Sequence, residues 1–198
     1  VAAKETSDYI RSLHISNGVK IKEAVGLGKL EIVDDKVLSA SLTDGSDINV
    51  DFVIVGIGIT PNTELAEGAN LKINNGIFIN DKCQTSVSNI YAAGDCTSFE
   101  YKDTLVRLES VGNAIDQATI VAQNIMKQNT NYIPKPWFWS DQYDLKLQIA
   151  GLNTGYDDVV VRKGKNKQVS HWYYKGQSLL AVDALNDPRC YMIGKRLI

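Results

Sequence analysis

The chain has 198 residues, with 21 Lys and Arg against 23 Asp and Glu, a formal net charge of -2 and a hydrophobic fraction of 44%. That length covers one large domain or two small ones, and a balanced charge with no basic run interleaved with aromatics excludes an electrostatically driven nucleic-acid binder. The longest apolar run, Phe52 to Ile59, falls well short of the roughly 20 residues a membrane-spanning helix needs, so no membrane role is expected.

From Val1 to Tyr9 there is neither the charged n-region nor the apolar h-region of a secretory signal. The three cysteines, Cys83, Cys96 and Cys190, lie far apart and form no C-x-x-C pair. This usage points to a reducing, cytoplasmic compartment and against a zinc site or a redox-active disulfide. Tyr9, Ile10 and Leu13 are spaced like one helix face, which predicts a helix over Ser7 to Leu13 that Gly18 stops. Val19 to Ile21 predicts a strand. Three β-like runs follow, Leu27 to Val33, Val37 to Leu42 and Ile48 to Val55, parted by turns at Asp34-Asp35 and Asp44-Gly45, and together they predict a β-meander. The last run is almost wholly apolar at Phe52-Val53-Ile54-Val55, as in a strand buried on both faces. It empties into Gly56-Ile57-Gly58-Ile59-Thr60-Pro61-Asn62, whose G-x-G lacks the third glycine and following helix of a dinucleotide fingerprint. Taken alone, it is a glycine turn ending a core strand.

Thr63 to Ala69 predicts a short helix, and Gly76 to Asn80 a strand. Next comes Thr85 to Asp95, TSVSNIYAAGD, read as polar turn residues, a short apolar strand Ile90-Tyr91-Ala92-Ala93, and Gly94-Asp95 at its end. A carboxylate delivered by Gly at the carboxyl end of a strand can lie against a ligand, because Gly lets the backbone approach closely. The same residues also fit an Asp that caps the next loop. A polar loop, Thr97 to Thr104, leads to a helix from about Asn113 to Met126, with Ala114, Ala118, Val121, Ala122 and Ile125 marking its apolar face. Ser110 or Asn113 caps it, leaving free N–H groups and a positive dipole end just after Val111. Asn129 to Pro136 has the composition of a linker. Beyond it lie the densest aromatic cluster, Trp137 to Tyr143, then alternating strands at Leu147 to Ala150, Asp158 to Arg162, Val169 to Tyr174 and Ser178 to Val182, and a tail that is helical near its end. Trp139 reads on these grounds as a core tryptophan of a small β-rich domain.

TSVSNIYAAGD resembles the second flavin-binding motif of the flavoproteins built from two dinucleotide-binding domains. VRLESVGNAIDQA, PWFWSDQYDLKLQIAGL and AVDALNDP follow it in that order, and with it they resemble the ferredoxin reductases of oxygenase systems, of the putidaredoxin reductase and aromatic-ring dioxygenase reductase type. These are members of the FAD-dependent pyridine nucleotide-disulphide oxidoreductase superfamily. The likeness runs from residue 1 to 198. It implies an α/β fold, a partial flavoprotein made of the end of an NAD domain (1–60) and the returning half of an FAD domain (61–128), plus a small α+β carboxyl-terminal reductase domain (129–198). The G-x-G-x-x-G units of the family do not occur here, so the resemblance implies the carboxyl-terminal part of a longer reductase, with Val1 a truncation point and a fragment inactive alone.

By that resemblance, Gly94 and Asp95 hold the ribityl and pyrophosphate region of FAD, and the Val111 backbone meets the flavin pyrimidine edge, where the helix end favours negative charge. Trp139 lies against the isoalloxazine, and Gly58 sits beside the nicotinamide cofactor. Expected cofactors are FAD and NADH, with NADPH left open, and the expected partner is a [2Fe-2S] ferredoxin. Electrons pass from NADH through FAD, so no side chain of this segment acts as acid, base or nucleophile. Alternatives are a disulfide or quinone reductase of the same superfamily, or a flavin-binding signalling protein like apoptosis-inducing factor. Two departures are Cys83-Gln84, where relatives carry a basic residue, and Gly112, which loosens the helix start. Exposed half-domain surface predicts self-association of the fragment.

Overall fold

The computed structural model describes residues 2–198. The chain divides into two compact units, Ser7–Ile59 and a larger one of Val1–Thr6 with Thr60–Ile198.

The smaller unit contains most of helix α1 (Lys4–Ser16) and a three-stranded antiparallel meander, β1 (Leu27–Val33), β2 (Lys36–Leu42) and β3 (Asp47–Asn49), in the order β1-β2-β3. The helix ends as the composition predicts, with the Val19 N–H donating back to the His14 carbonyl at 3.1 Å. Asp34 and Asp35 both adopt left-handed conformations, at φ 51° and 60°. That is the two-residue turn whose twist suits a tight hairpin, and short polar Asp tolerates it. Asp44-Gly45 closes the second hairpin, with the Leu42 N–H donating to the Ser46 carbonyl at 2.8 Å.

Two expectations fail here. Val19 to Ile21 is not a strand, and the run from Ile48 to Val55 pairs only as far as Asn49 before the chain goes irregular and exposed. Phe52 is 71% exposed and Ile57 91%. A strand buried on both faces needs neighbours on its edges, and the described meander ends at β3 with none beyond it. No described strand pairs with residues 52–55.

In the larger unit, α2 (Glu64–Gly68) precedes a sheet of order β4-β5-β6, made of β4 (Ile77–Phe78), β5 (Thr97–Tyr101) and β6 (Thr104–Val106). β4 runs parallel to β5. The expected polar loop at 97–104 is instead a β5–β6 hairpin, turned by Lys102 and Asp103 at φ 48° and 59°. The expected strand at 90–93 shrinks to a single bridge between Tyr91 and Gln84. Ile79, Cys83, Phe99, Leu108 and Tyr132 form the core under this sheet, with Ile120, Val121 and Phe138 packed against it.

Helix α3 (Val111–Ile125) overturns the expected apolar packing face: Ala118, Ala122 and Ile125 are exposed, while Asn113, Gln117 and Asn124 are buried. These polar residues pin loops. Asn124 Nδ2 donates to the carbonyls of Lys82 and Thr130 at 3.1 and 2.8 Å, its Oδ1 accepts the Thr130 N–H at 2.7 Å, and Asn113 Oδ1 accepts the Tyr132 hydroxyl. The stretch 129–136 is therefore not a free linker. It has no regular structure, but Tyr132 is buried edge-on against Phe99 with ring centroids 5.3 Å apart.

The carboxyl-terminal sheet is wholly antiparallel, in the order β7-β8-β11-β10-β9, from β7 (Trp137–Gln142), β8 (Leu145–Gly151), β9 (Asp158–Lys163), β10 (Val169–Lys175) and β11 (Ser178–Leu185). The aromatic cluster thus forms an edge strand of its own. Helix α4 (Pro188–Leu197) starts with Asp187 accepting the Cys190 N–H and Pro at its first position, a standard start signal.

Four buried polar groups join the first turn of α1 to this sheet. The Thr6 hydroxyl donates to Asp183 Oδ2 at 2.6 Å, Tyr173 donates to the same oxygen at 2.7 Å, and His171 Nδ1 lies 2.7 Å from the Thr6 oxygen. With the Thr6 hydroxyl hydrogen directed at Asp183, the Thr6 oxygen accepts from His171 Nδ1–H, which fixes the imidazole tautomer.

Candidate functional site

The YAAGD segment ends in a tight turn. Gly94 sits at φ 89°, a left-handed conformation that favours glycine, and its carbonyl accepts the Thr97 N–H at 3.0 Å. The Gly94 N–H donates to Gln117 Oε1, buried in α3, at 2.7 Å, and the Thr97 hydroxyl lies 2.8 Å from the Gly94 carbonyl and 2.9 Å from the same Gln117 oxygen. Asp95, next in the turn, is exposed. Its carbonyl accepts a long bond of 3.4 Å from Arg107, whose guanidinium also pairs with Glu109 at 2.7 Å.

Helix α3 begins beside this turn, since a side chain at Gly94 would sit 3.5 Å from the Ala114 methyl. Of the two candidate caps the structure selects Ser110, extended at φ -150° and ψ 140°, whose hydroxyl accepts the Asn113 N–H at 3.2 Å. The N–H groups of Val111 and Gly112 have no acceptor within the helix, and the Val111 side chain is exposed. Gly112 lies against Trp137: a Cβ there would fall 2.3 Å from the indole nitrogen. Trp137 in turn stacks on Trp139, with centroids 5.1 Å apart and planes 23° from parallel. Lys195 of α4 sits 5.0 Å over the Trp137 ring.

Gly94, Asp95, Val111 and Trp139 are thus linked by a continuous series of contacts through α3 and β7. Gly58 belongs to the other unit, where it has φ 93° with open space around it. Trp139 is 46% exposed, so it is not a core residue. Sequence reasoning missed Gln117, Trp137 and Arg107, and it treated Gly112 as a weak helix start when the glycine is what admits Trp137. The signal for Gln117 was its place four residues after Asn113 on one helical stripe.

The arrangement is built to bind and orient. A carboxylate and a positive helix end are features suited to an extended polar ligand, and a half-exposed indole offers an aromatic face. Two of the thiols are poorly suited to nucleophilic work: burial, helped by Asp81, pushes Cys83 up to about 12, and burial also raises Cys190. Among the described residues, no group of three or more His, Cys, Asp and Glu is placed to hold a metal, and no helix is long and apolar enough to cross a membrane.

Residues 1–118 match the family described as pyridine nucleotide-disulphide oxidoreductase. The chain belongs to that family. Within this oxidoreductase family, residues 137–198 further match the module described as the reductase C-terminal domain. The chain is 38% identical over 195 residues to a rhodocoxin reductase from Rhodococcus erythropolis, covering 97% of this chain and 46% of the relative. It is 39% identical over 203 residues to a putidaredoxin reductase from Pseudomonas putida, covering 100% of this chain and 48% of the relative. A solved covalent putidaredoxin reductase–putidaredoxin complex superposes with a TM-score of 0.93 at 39% identity, over 99% of this chain and 48% of the solved one. The chain therefore spans about half the length of the curated relatives it matches.

Proposed function

We propose that the complete protein containing this chain is an FAD-dependent NAD(P)H:ferredoxin oxidoreductase, which passes electrons from NADH through FAD to a [2Fe-2S] ferredoxin serving an oxygenase. The observation that carries this reading is the continuous path from the Gly94-Asp95 turn through the open first turn of α3 to the stacked pair Trp137 and Trp139. Its residues fit a flavin dinucleotide. Asp95 is exposed and acceptor-rich for a sugar-phosphate chain, the first-turn N–H groups of α3 at Val111 and Gly112 have no acceptor within the helix, and Trp139 presents a half-exposed indole.

Bound FAD supplies hydride acceptance and one-electron release. Toward it, Asp95 accepts hydrogen bonds from the ribityl chain, the Val111 backbone donates to the pyrimidine edge, and Trp139 shields the ring from water. Gly58 offers bare backbone to the nicotinamide cofactor, a role its positive φ and open surroundings support. The proposed domains are 1–60, 61–128 and 129–198, the end of an NAD domain, the returning half of an FAD domain and a carboxyl-terminal reductase domain. A ferredoxin partner is supported by the names of the relatives and of the solved complex. Three free cysteines support the cytoplasm as the compartment.

The test is Asp95→Ala in the complete reductase. Losing charge-assisted bonds to the cofactor costs about 1.5 to 3 kcal/mol. This is roughly a 10- to 150-fold loss of FAD affinity. Turnover with a ferredoxin should return on adding FAD, because no proton moves through Asp95. Unchanged FAD affinity would refute the site.

A further inference from the structure

Gln117 stands out among the groups this reading leaves unexplained. It is fully buried in the middle of α3, yet its amide is only half satisfied: Oε1 accepts the Gly94 N–H at 2.7 Å and lies 2.9 Å from the Thr97 hydroxyl, while Nε2 has no partner among the described residues. A buried amide donor without an acceptor costs stability, and an apolar side chain of the same shape would remove that cost. The amide cannot flip to help itself, because the Gly94 N–H needs an oxygen opposite it. What Gln117 secures is the left-handed turn at Gly94.

We propose that Gln117 is a positioning residue for the flavin site. Its Oε1 locks the Gly94–Thr97 turn and thereby fixes the direction in which the Asp95 carboxylate is presented to FAD. This rests on the reading of Asp95 as a cofactor ligand and adds to it a residue that never touches the cofactor. Without the oxygen, the Gly94 N–H is left unmet, the turn relaxes, and Asp95 meets FAD from a spread of orientations. A group held loosely contributes less binding, since its ordering must then occur when the ligand arrives.

The experiment is a double-mutant cycle in the complete reductase, with FAD dissociation constants read from flavin fluorescence and thermal midpoints recorded alongside. Gln117→Leu weakens FAD binding about 10-fold when Asp95 is present and less than about 2-fold in an Asp95→Ala background, because the two act on one interaction. Gln117→Glu keeps a carbonyl oxygen at the same reach and retains most of the affinity, which also covers the case in which the leucine variant does not fold. Equal losses in both backgrounds would reduce Gln117 to a packing residue and overturn the proposal, as would unchanged affinity in Gln117→Leu or no recovery in Gln117→Glu. If Asp95→Ala alone keeps its FAD, the parent reading fails first, and the proposal with it.

Discussion

Gly112 has no room for a side chain, because the Trp137 indole lies where a Cβ would be. Gly112→Ala must therefore push Trp137 off α3 or shift the helix start, against which the better helix propensity of alanine offers at most about 1 kcal/mol. Overpacking of this kind costs about 1 to 3 kcal/mol, so the variant should be less stable in a denaturant titration. An unchanged midpoint would mean that the indole moves freely. Cys83 makes a separate case. Its thiol is wholly buried and pushed up to about 12, whereas Cys96 and Cys190 are partly exposed. Iodoacetamide on the native protein should label the latter two and spare Cys83, a pattern that peptide mass mapping reads directly. Spacing alone left all three cysteines equivalent, since burial depends on which loops fold over them.

Helices and strands were legible where local chemistry decides them. The paired left-handed aspartates at 34 and 35 and the Ser110 cap belong to short windows, and the sequence carries them openly. Residues 52–55 and helix α3 depart from the sequence expectation for a common reason. Hydrophobic pattern does not map the interior here: α3 turns Asn113, Gln117 and Asn124 inward because the loops it meets carry backbone groups that need partners. The link between α1 and the carboxyl-terminal sheet was equally invisible, since Thr6 and Asp183 are 177 residues apart. That link has a pH signature. Burial lowers His171 below its usual 6.5 despite the opposing pull of Asp183 and Glu5, so below pH 6.5 the unfolded chain takes up a proton that the folded chain resists. Stability from this group is present above pH 6.5 and falls as the pH drops toward the folded value. Burial raises Asp183, which works the other way: its contribution is lost as pH rises through its folded value. Thermal midpoints across pH 5 to 8, compared between the native sequence and His171→Gln, should separate the two, with the variant losing the decline on the acid side. Thr6→Val removes one donor from Asp183 and should cost about 1 to 3 kcal/mol.

At the scale of the whole chain, apolar surface is unevenly distributed. The unit Ser7–Ile59 exposes Leu27, Ile32, Val33, Phe52, Ile54, Val55 and Ile57. So many exposed large apolar side chains seek cover, so the isolated 198-residue chain should self-associate, with an apparent mass by light scattering that rises with concentration. A constant monomer mass would count against it. The backbone from Asp51 to Thr60 is exposed and lies outside any strand, so limited proteolysis should cut there before it reaches the five-stranded sheet. The tryptophans give the molecule an optical character of its own. Trp172 is 4% exposed, while Trp137 and Trp139 form a near-parallel pair 5.1 Å apart. Two indoles that close share their electronic excitation, and wherever their transition moments are skewed to one another the ultraviolet transitions split into a circular-dichroism couplet of opposite signs. Trp172, in its buried place, adds emission that aqueous quenchers barely reach. A colourless preparation of this protein therefore reports the state of its aromatic stack in its ultraviolet spectrum alone, and replacing either indole of the pair with phenylalanine would erase the couplet while leaving the shielded emission in place.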